Sequence, residues 1–362
     1  MTTRQNQQGM TLVEIMIALL LGAFLLGGVL QIFLSSRQTY RLLEGLSRVQ
    51  ESGRFALDIL NKDIRMAGFL GCASLSSITP NVIVDPKNPN PNPPPTSLTL
   101  GAPAVRGTDN VANNWDSLAC GAANACVAGT DAVTIYYGGS CGGYLVANMA
   151  TVNANIQIHA PNSCDIDQYD VVIVSDCSDA DIFIATSASL GAGKQTIAHA
   201  NNQNLGNNLS KAYGPDAEVF AFNSSTFYIR TGANGRPSLW RLDNSKAIGG
   251  NNPVELLEGI ENMQITYGVD IDDDDDGDPG TAAPDGPANY YVSGNNIPDM
   301  DGDGAADWYR VVSLRVSILV ASDDNLASQA LPYDYNGATV TPADRRLRRV
   351  FNTTVAVRNR LP

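Results

Sequence analysis

The chain has 362 residues, an ordinary 44% hydrophobic content and a formal net charge of −14. That length allows one large domain or two ordinary ones with real cores. The acidic balance argues against nucleic acid or anionic lipid as partners of the head, although the charge is local: residues 270–307 hold twelve Asp and no Lys or Arg, and without them the chain is nearly neutral.

Residues 1–9 form a short polar leader carrying Arg4, and an almost unbroken apolar run from Met10 to Leu34 follows. In those 25 residues the only formal charge is Glu14. As a helix the run would extend about 37 Å, enough to cross a bilayer. A cleaved secretory signal fits poorly, because the run is too long and Ser35-Ser36-Arg37-Gln38 is no small-x-small site. A plain anchor leaves Glu14 unexplained, since a carboxylate in the bilayer costs about 2.5–3.5 kcal/mol on insertion scales and calls for a partner or a function.

The string Gly9-Met10-Thr11-Leu12-Val13-Glu14 resembles the class III leader of type IV pilins and type II secretion pseudopilins. The resemblance implies cleavage between Gly9 and Met10 by a prepilin peptidase and methylation of the new Met10 amino terminus. It also implies a register-setting role for Glu14, which in a filament would neutralise the amino terminus of a neighbouring subunit inside an apolar bundle. Many family members have Phe where this chain has Met10.

Beyond the apolar run the helix is predicted to continue to about Met66. Leu42, Leu46, Val49, Gly53, Leu57, Leu60 and Ile64 recur every three or four residues and make one apolar stripe for a sheet. Gly45 and Gly53 each cost about 1 kcal/mol against Ala in a helix, which predicts a bend or a close contact near either. Gly68 is a natural stop, and Cys72 would tie the helix end to the head. The run Gln50-Glu51-Ser52-Gly53-Arg54-Phe55-Ala56-Leu57, with Asp63-Ile64-Arg65-Met66-Ala67-Gly68-Phe69 and Gly71-Cys72, is similar to the signature of PilW-type minor pilins.

Six cysteines, Cys72, Cys120, Cys126, Cys141, Cys164 and Cys177, in a chain with an export-type start read as disulfides formed in an oxidising periplasm, with fifteen connectivities open. Proximity suggests Cys120 with Cys126 and Cys164 with Cys177, leaving Cys72 with Cys141. Zinc is the competing reading, but no C-x₂-C pair exists and His159 and His199 are the only histidines. A positive-inside count conflicts with a periplasmic head, because Arg37, Arg41 and Arg48 follow the span and only Arg4 and the α-amino group precede it. The cysteines and the leader decide for the periplasm.

The Pro-rich stretch 85–96 can be neither helix nor central strand and reads as an extended surface loop. An irregular insertion is expected from there to about Ala125. Short β-branched and aromatic runs then predict strands at 133–137, 144–146, 156–159, 171–175, 182–186, 219–222, 226–230, 238–242, 263–267, 311–321 and 350–357. The only helical periodicity beyond the N-terminal helix falls at 254–260. Residues 308–317 and 349–360 resemble the penultimate and closing strands of PilW-type pilins. The implied fold is α+β, the type IV pilin fold: a leader at 1–9, a transmembrane and assembly helix at 10–68, and a mainly antiparallel β head with loop insertions at 69–362.

Asp299-Met300-Asp301-Gly302-Asp303-Gly304, with Asp307 at the ninth position, reproduces most of a calcium loop, hard oxygen ligands at alternate positions with a glycine at the sixth. Position twelve is Arg310, so the bidentate Glu of a full EF-hand is absent. Asp272, Asp274, Asp276 and Asp278 with Gly277 form a weaker candidate. The bland alternative is a solvated acidic loop. Gly138-Gly139-Ser140-Cys141-Gly142 matches G-x-S-x-G, but Tyr144 to Asn148 after it read as strand or loop, where a nucleophile elbow needs a helix. The chain is expected not to be an enzyme.

These features predict a structural subunit that primes pilus assembly at the inner membrane, enters the fibre near its tip and is stabilised by Ca2+. By resemblance its partners are other minor pilins, the major pilin, the prepilin peptidase and the inner-membrane assembly platform. Two alternatives stay open: a J-type pseudopilin of type II secretion, and a calcium-dependent adhesin on a pilin stem.

Overall fold

The computed structural model describes residues 10–72, 75, 78–85, 104–111, 114, 115, 118, 120, 126–245, 252–271, 286–300 and 302–360. Gly9 and the rest of the leader, the Pro-rich stretch beyond Asp85, and Asp272, Asp274, Asp276, Asp278 and Asp301 lie outside the described residues.

One helix, Leu12–Met66, runs without interruption for 55 residues, about 82 Å at 1.5 Å per residue. No proline interrupts it, and its glycines are isolated or paired within a run of strong helix formers. It ends as the sequence predicts. Gly68 takes a positive φ of 74°, and the Ala67 N–H folds back to the carbonyls of Asp63 and Ile64 at 3.1 and 3.2 Å. The carboxy-terminal segment completes the cap, with the Asn359 side-chain amide donating to the carbonyls of Ala67 at 3.0 Å and Met66 at 3.4 Å.

The two halves of the helix meet different surroundings. Its most apolar stretch has a mean hydropathy of 2.5 and none of it is covered by the head. Farther along, Val49, Gly53, Ala56, Leu60 and Ile64 are buried. The predicted stripe is buried from Val49 onward: Leu42 and Leu46 are only half-buried, Ala56 sits in the seam, and Leu57 packs at its margin.

The seam lies on a four-stranded antiparallel sheet in the order Tyr290–Ser293, Ile260–Val269, Val311–Asn325, Arg346–Ala356. The close approach expected near either glycine occurs at both: a Cβ at Gly53 would lie within 2.6 Å of three ring carbons of Phe351, and one at Gly45 would run into the Leu326 side chain. Met263, Ile265, Leu314, Val316, Ile318 and Val355 face the same core as Leu60 and Ile64. Burying each large aliphatic side chain contributes about 1.5–3 kcal/mol.

A second, eight-stranded sheet is built around Glu218–Thr231. Ala132–Tyr144 pairs along one side of this strand; on the other, Val171–Ser175 pairs with its first half and Pro237–Asp243 with its second. Every pairing is antiparallel except Asn81–Val82 with Ala180–Ile184. Val171–Ser175 and Ala180–Ile184 are buried at every residue, because Val172, Val174 and Phe183 face one apolar cluster while Ile173, Ile182 and Ile184 face another. A three-stranded sheet of Ile156–His159, Lys194–Ala198 and Ser187–Gly191 covers the first of these.

The structure corrects three expectations. Residues 254–260, expected to be helical, form the edge strand Val254–Glu258, paired with Pro237–Asp243 and turned at Gly259 with φ 79°; in so short an apolar run, tertiary pairing outweighs periodicity. The region expected to be irregular to Ala125 contains a strand, Val105–Thr108, held by Ala132–Tyr144. Among the cysteines, Cys120 pairs with Cys126 as spacing predicts, but the other bridges are Cys72–Cys177 and Cys141–Cys164. The five-residue strand Val171–Ser175 explains the exchange. It carries the chain about 17 Å away from Cys164 and delivers Cys177 to the end of the sheet where the long helix stops.

Candidate functional site

The helix begins with a threonine and a glutamate three residues apart, and they form a reciprocal cap. Thr11 accepts the Glu14 backbone N–H at 3.3 Å, while the Glu14 carboxylate accepts the Thr11 backbone N–H at 2.8 Å and its hydroxyl at 3.0 Å. Amide hydrogens that the first turn would leave without partners are thereby used. Glu14 also sits about 3 Å beyond Leu12 along the axis, where the positive end of the helix dipole favours a carboxylate. Its cost is therefore lower than that of a carboxylate at mid-bilayer. The leader string alone does not single out Thr11; the Thr-x-x-Glu spacing ahead of an apolar run is the signal that points to it. Met10 is exposed immediately before the cap.

The acidic segment is anchored at both ends by buried carboxylates. Asp270 is 1% exposed, accepts the Gly286 N–H at 2.9 Å, and donates its own N–H to the Arg310 carbonyl at 3.0 Å. Asp307 accepts the Met300 N–H at 2.7 Å and faces the buried guanidinium of Arg310 at 3.8 Å. Trp308 closes this end edge-on against Tyr267, ring centroids 5.0 Å apart. One Asp307 carboxylate oxygen therefore helps to hold this end of the segment.

Between the anchors, Asp299 accepts N–H groups from Gly302 at 2.8 Å and Gly304 at 2.9 Å, and Asp303 accepts that of Ala305 at 2.7 Å. Gly302 and Gly304 have positive φ values of 74° and 85°, the conformations only glycine adopts freely. The Asp299 carboxylate thus accepts the sixth-position amide, and Asp299 and Asp303 are the described carboxylates of this loop. Among the described residues no three carboxylate, histidine or cysteine side chains converge on a metal-sized site.

Gly138 to Gly142 lie within the strand Ala132–Tyr144 at a bulge opposite Val219 and Ala221. Cys141 is bridged to Cys164, and the Ser140 hydroxyl donates to Glu218 at 3.1 Å. The strand context is the opposite of a nucleophile elbow.

The sequence model described as Type IV Pilus-assembly protein W matches residues 226–359, the segment that supplies all four strands of the sheet beneath the helix. The model described as Prokaryotic N-terminal methylation motif matches residues 4–30. No curated protein sequence matches the chain. Among solved structures, a type IV-like pilin from Thermus thermophilus is similar at 15% identity over 39% of this chain and 69% of that one, with a TM-score of 0.22. A methylation motif at one end of the chain and similarity to the Type IV Pilus-assembly protein W family at the other support a PilW-type type IV minor pilin.

Proposed function

We propose that this subunit is a non-catalytic minor pilin that helps to prime pilus assembly at the inner membrane and is then carried into the fibre near its tip. The observation that carries this reading is the division of one unbroken helix: its bare apolar half starts at the Thr11–Glu14 cap, and its other half is fixed to the head. Such a helix can be held by lipid before assembly and by neighbouring helices after it, with no refolding of the head. The three disulfides support a head in the periplasm. Partners on this reading are other minor pilins, the major pilin, the assembly platform and the prepilin peptidase, which would cut after Gly9 and methylate Met10.

Glu14→Ala and Gly9→Val variants test the proposal. Gly9→Val should block processing. Glu14→Ala should be processed normally yet reduce surface pili and motility; unchanged piliation would remove the role given to Glu14. Loss of exoprotein secretion with intact pili would indicate a J-type pseudopilin instead, and normal pili with lost attachment would indicate an adhesin.

We also propose that Ca2+ orders the acidic loop through Asp299, Asp301 and Asp303. The support is the curl of the loop around Asp299 and the repulsion among adjacent carboxylates that a cation would relieve.

A further inference from the structure

Where the bare helix approaches the head, two arginines stand without partners among the described residues. Arg37 and Arg41 are exposed, and neither makes a hydrogen bond or ion pair with any described residue. The next arginine along the helix differs: Arg48 holds Glu44 at 3.0 Å and approaches Asp323 at 3.9 Å. From Ser35 to Leu43 the helix carries two arginines and no carboxylate, in a protein whose net charge is −14.

Position gives these side chains a particular environment. If the apolar stretch ending at Leu34 fills the hydrocarbon layer, Arg37 and Arg41 lie about 4.5 and 10 Å farther along the axis, at headgroup depth. Tyr40, between them, is 69% exposed and Leu43 is 58% exposed, the aromatic and apolar side chains that favour a membrane interface. A cleft of about 1070 Å³ opens here between the helix and the end of the strand Val311–Asn325 with the residues after it to Ser328, and Leu34, Arg37 and Arg41 are among its lining residues. Of the acids that line this cleft, Glu44 is engaged by Arg48 and Asp323 by Arg236 at 2.8 Å, while Glu51, Glu258 and Asp324 also face it.

We propose that Arg37 and Arg41 bind the phosphate of an anionic glycerophospholipid, with Tyr40 at the interface, and so fix the depth at which the subunit rests before assembly. The site rests on the reading that the helix spans a bilayer, and it works for either orientation of the head. It also gives the arginines after the span a physical role that charge counting leaves open. Headgroup contact is confined to this stretch because the acidic head is repelled by the same surface.

The test uses the full-length protein in nanodiscs of equal parts phosphatidylglycerol and phosphatidylcholine, with lipids retained after ejection read by native mass spectrometry. The ratio of phosphatidylglycerol to phosphatidylcholine adducts should fall by about 30-fold in the Arg37→Gln/Arg41→Gln variant, the factor expected for two cations at an anionic surface. Inorganic phosphate added in excess should leave the wild-type ratio unchanged. Equal ratios in both proteins would overturn the proposal, and so would displacement of the lipid by free phosphate, which would make the site one for small anions. An unchanged ratio with fewer fibres in cells would overturn it too, assigning the arginines to a neighbouring subunit. Insertion of both proteins into the nanodisc is scored separately, so failure of the arginine site is distinguishable from failure of the membrane span.

Discussion

At Gly53 the helix lies close against Phe351 of the sheet, and replacing this glycine with alanine separates two opposing effects. Alanine favours the helix over glycine by about 1 kcal/mol. Its Cβ, however, would lie within 2.6 Å of three ring carbons of Phe351, and forcing an extra carbon into such a contact costs about 1–3 kcal/mol. The net expectation for Gly53→Ala is a destabilisation of roughly 0–2 kcal/mol by this sum. With Phe351→Ala already present the clash disappears, and the same substitution should stabilise by about 1 kcal/mol. The sign reversal is the diagnostic, a coupling of about 1–3 kcal/mol between two residues in contact. Urea titration of the full-length protein in mild detergent, followed by near-UV circular dichroism, measures all four corners of the cycle. Equal stabilisation by Gly53→Ala in both backgrounds would falsify the close contact.

Other expectations rest on different parts of the head. Asp131 is 2% exposed and accepts N–H groups from Asn110 at 3.0 Å and Ile265 at 2.7 Å, yet burial pushes its carboxyl up to about 6. A raised folded value means that its contribution is full below about pH 4 and is lost as pH rises through about 6, a swing on the order of 3 kcal/mol. The stability difference between wild type and Asp131→Asn should follow that trend in urea midpoints taken from pH 4 to 7, and parallel curves would count against it. Peptide mapping without reductant should recover Cys72 joined to Cys177. Replacing both with Ser opens a link across 105 residues and should cost about 4–5 kcal/mol on the chain-entropy account. Millimolar calcium should protect the segment between Gly268 and Trp308 from proteolysis, and equal cleavage in chelator would refute the loop's role.

The long helix was legible because its signals agree: an apolar run, a heptad-like stripe, no proline, and Gly68 at the stop. Strands buried on one or both faces, such as Val171–Ser175 and Ile156–His159, announced themselves through β-branched residues. Strands that depend on a neighbour did not. Ser187–Gly191 is nearly all exposed and is defined by its pairing with Lys194–Ala198. Val254–Glu258 reads as helix until Pro237–Asp243 lies beside it. The disulfide pairing failed for a related reason: proximity in sequence ignores the direction in which a strand carries the chain. At the site, the Gly9 to Glu14 string lies within the segment matched by the methylation-motif model, and the Thr11 cap needed the helix start to be fixed first.

The union of helix and head has a mechanical consequence. Just past the helix, the Gly68 N–H bonds the Tyr136 carbonyl and the Gly138 N–H bonds the Phe69 carbonyl, each at 2.7 Å, and Cys72 is covalently joined to Cys177. Tension applied at the membrane end would therefore travel about 82 Å up a single strut before meeting its only covalent cross-tie among the described residues. The sheet alongside would be loaded in shear, the seam from Val49 to Ile64 sharing the force among many contacts. A subunit built this way can be hauled by its foot while its head stays closed.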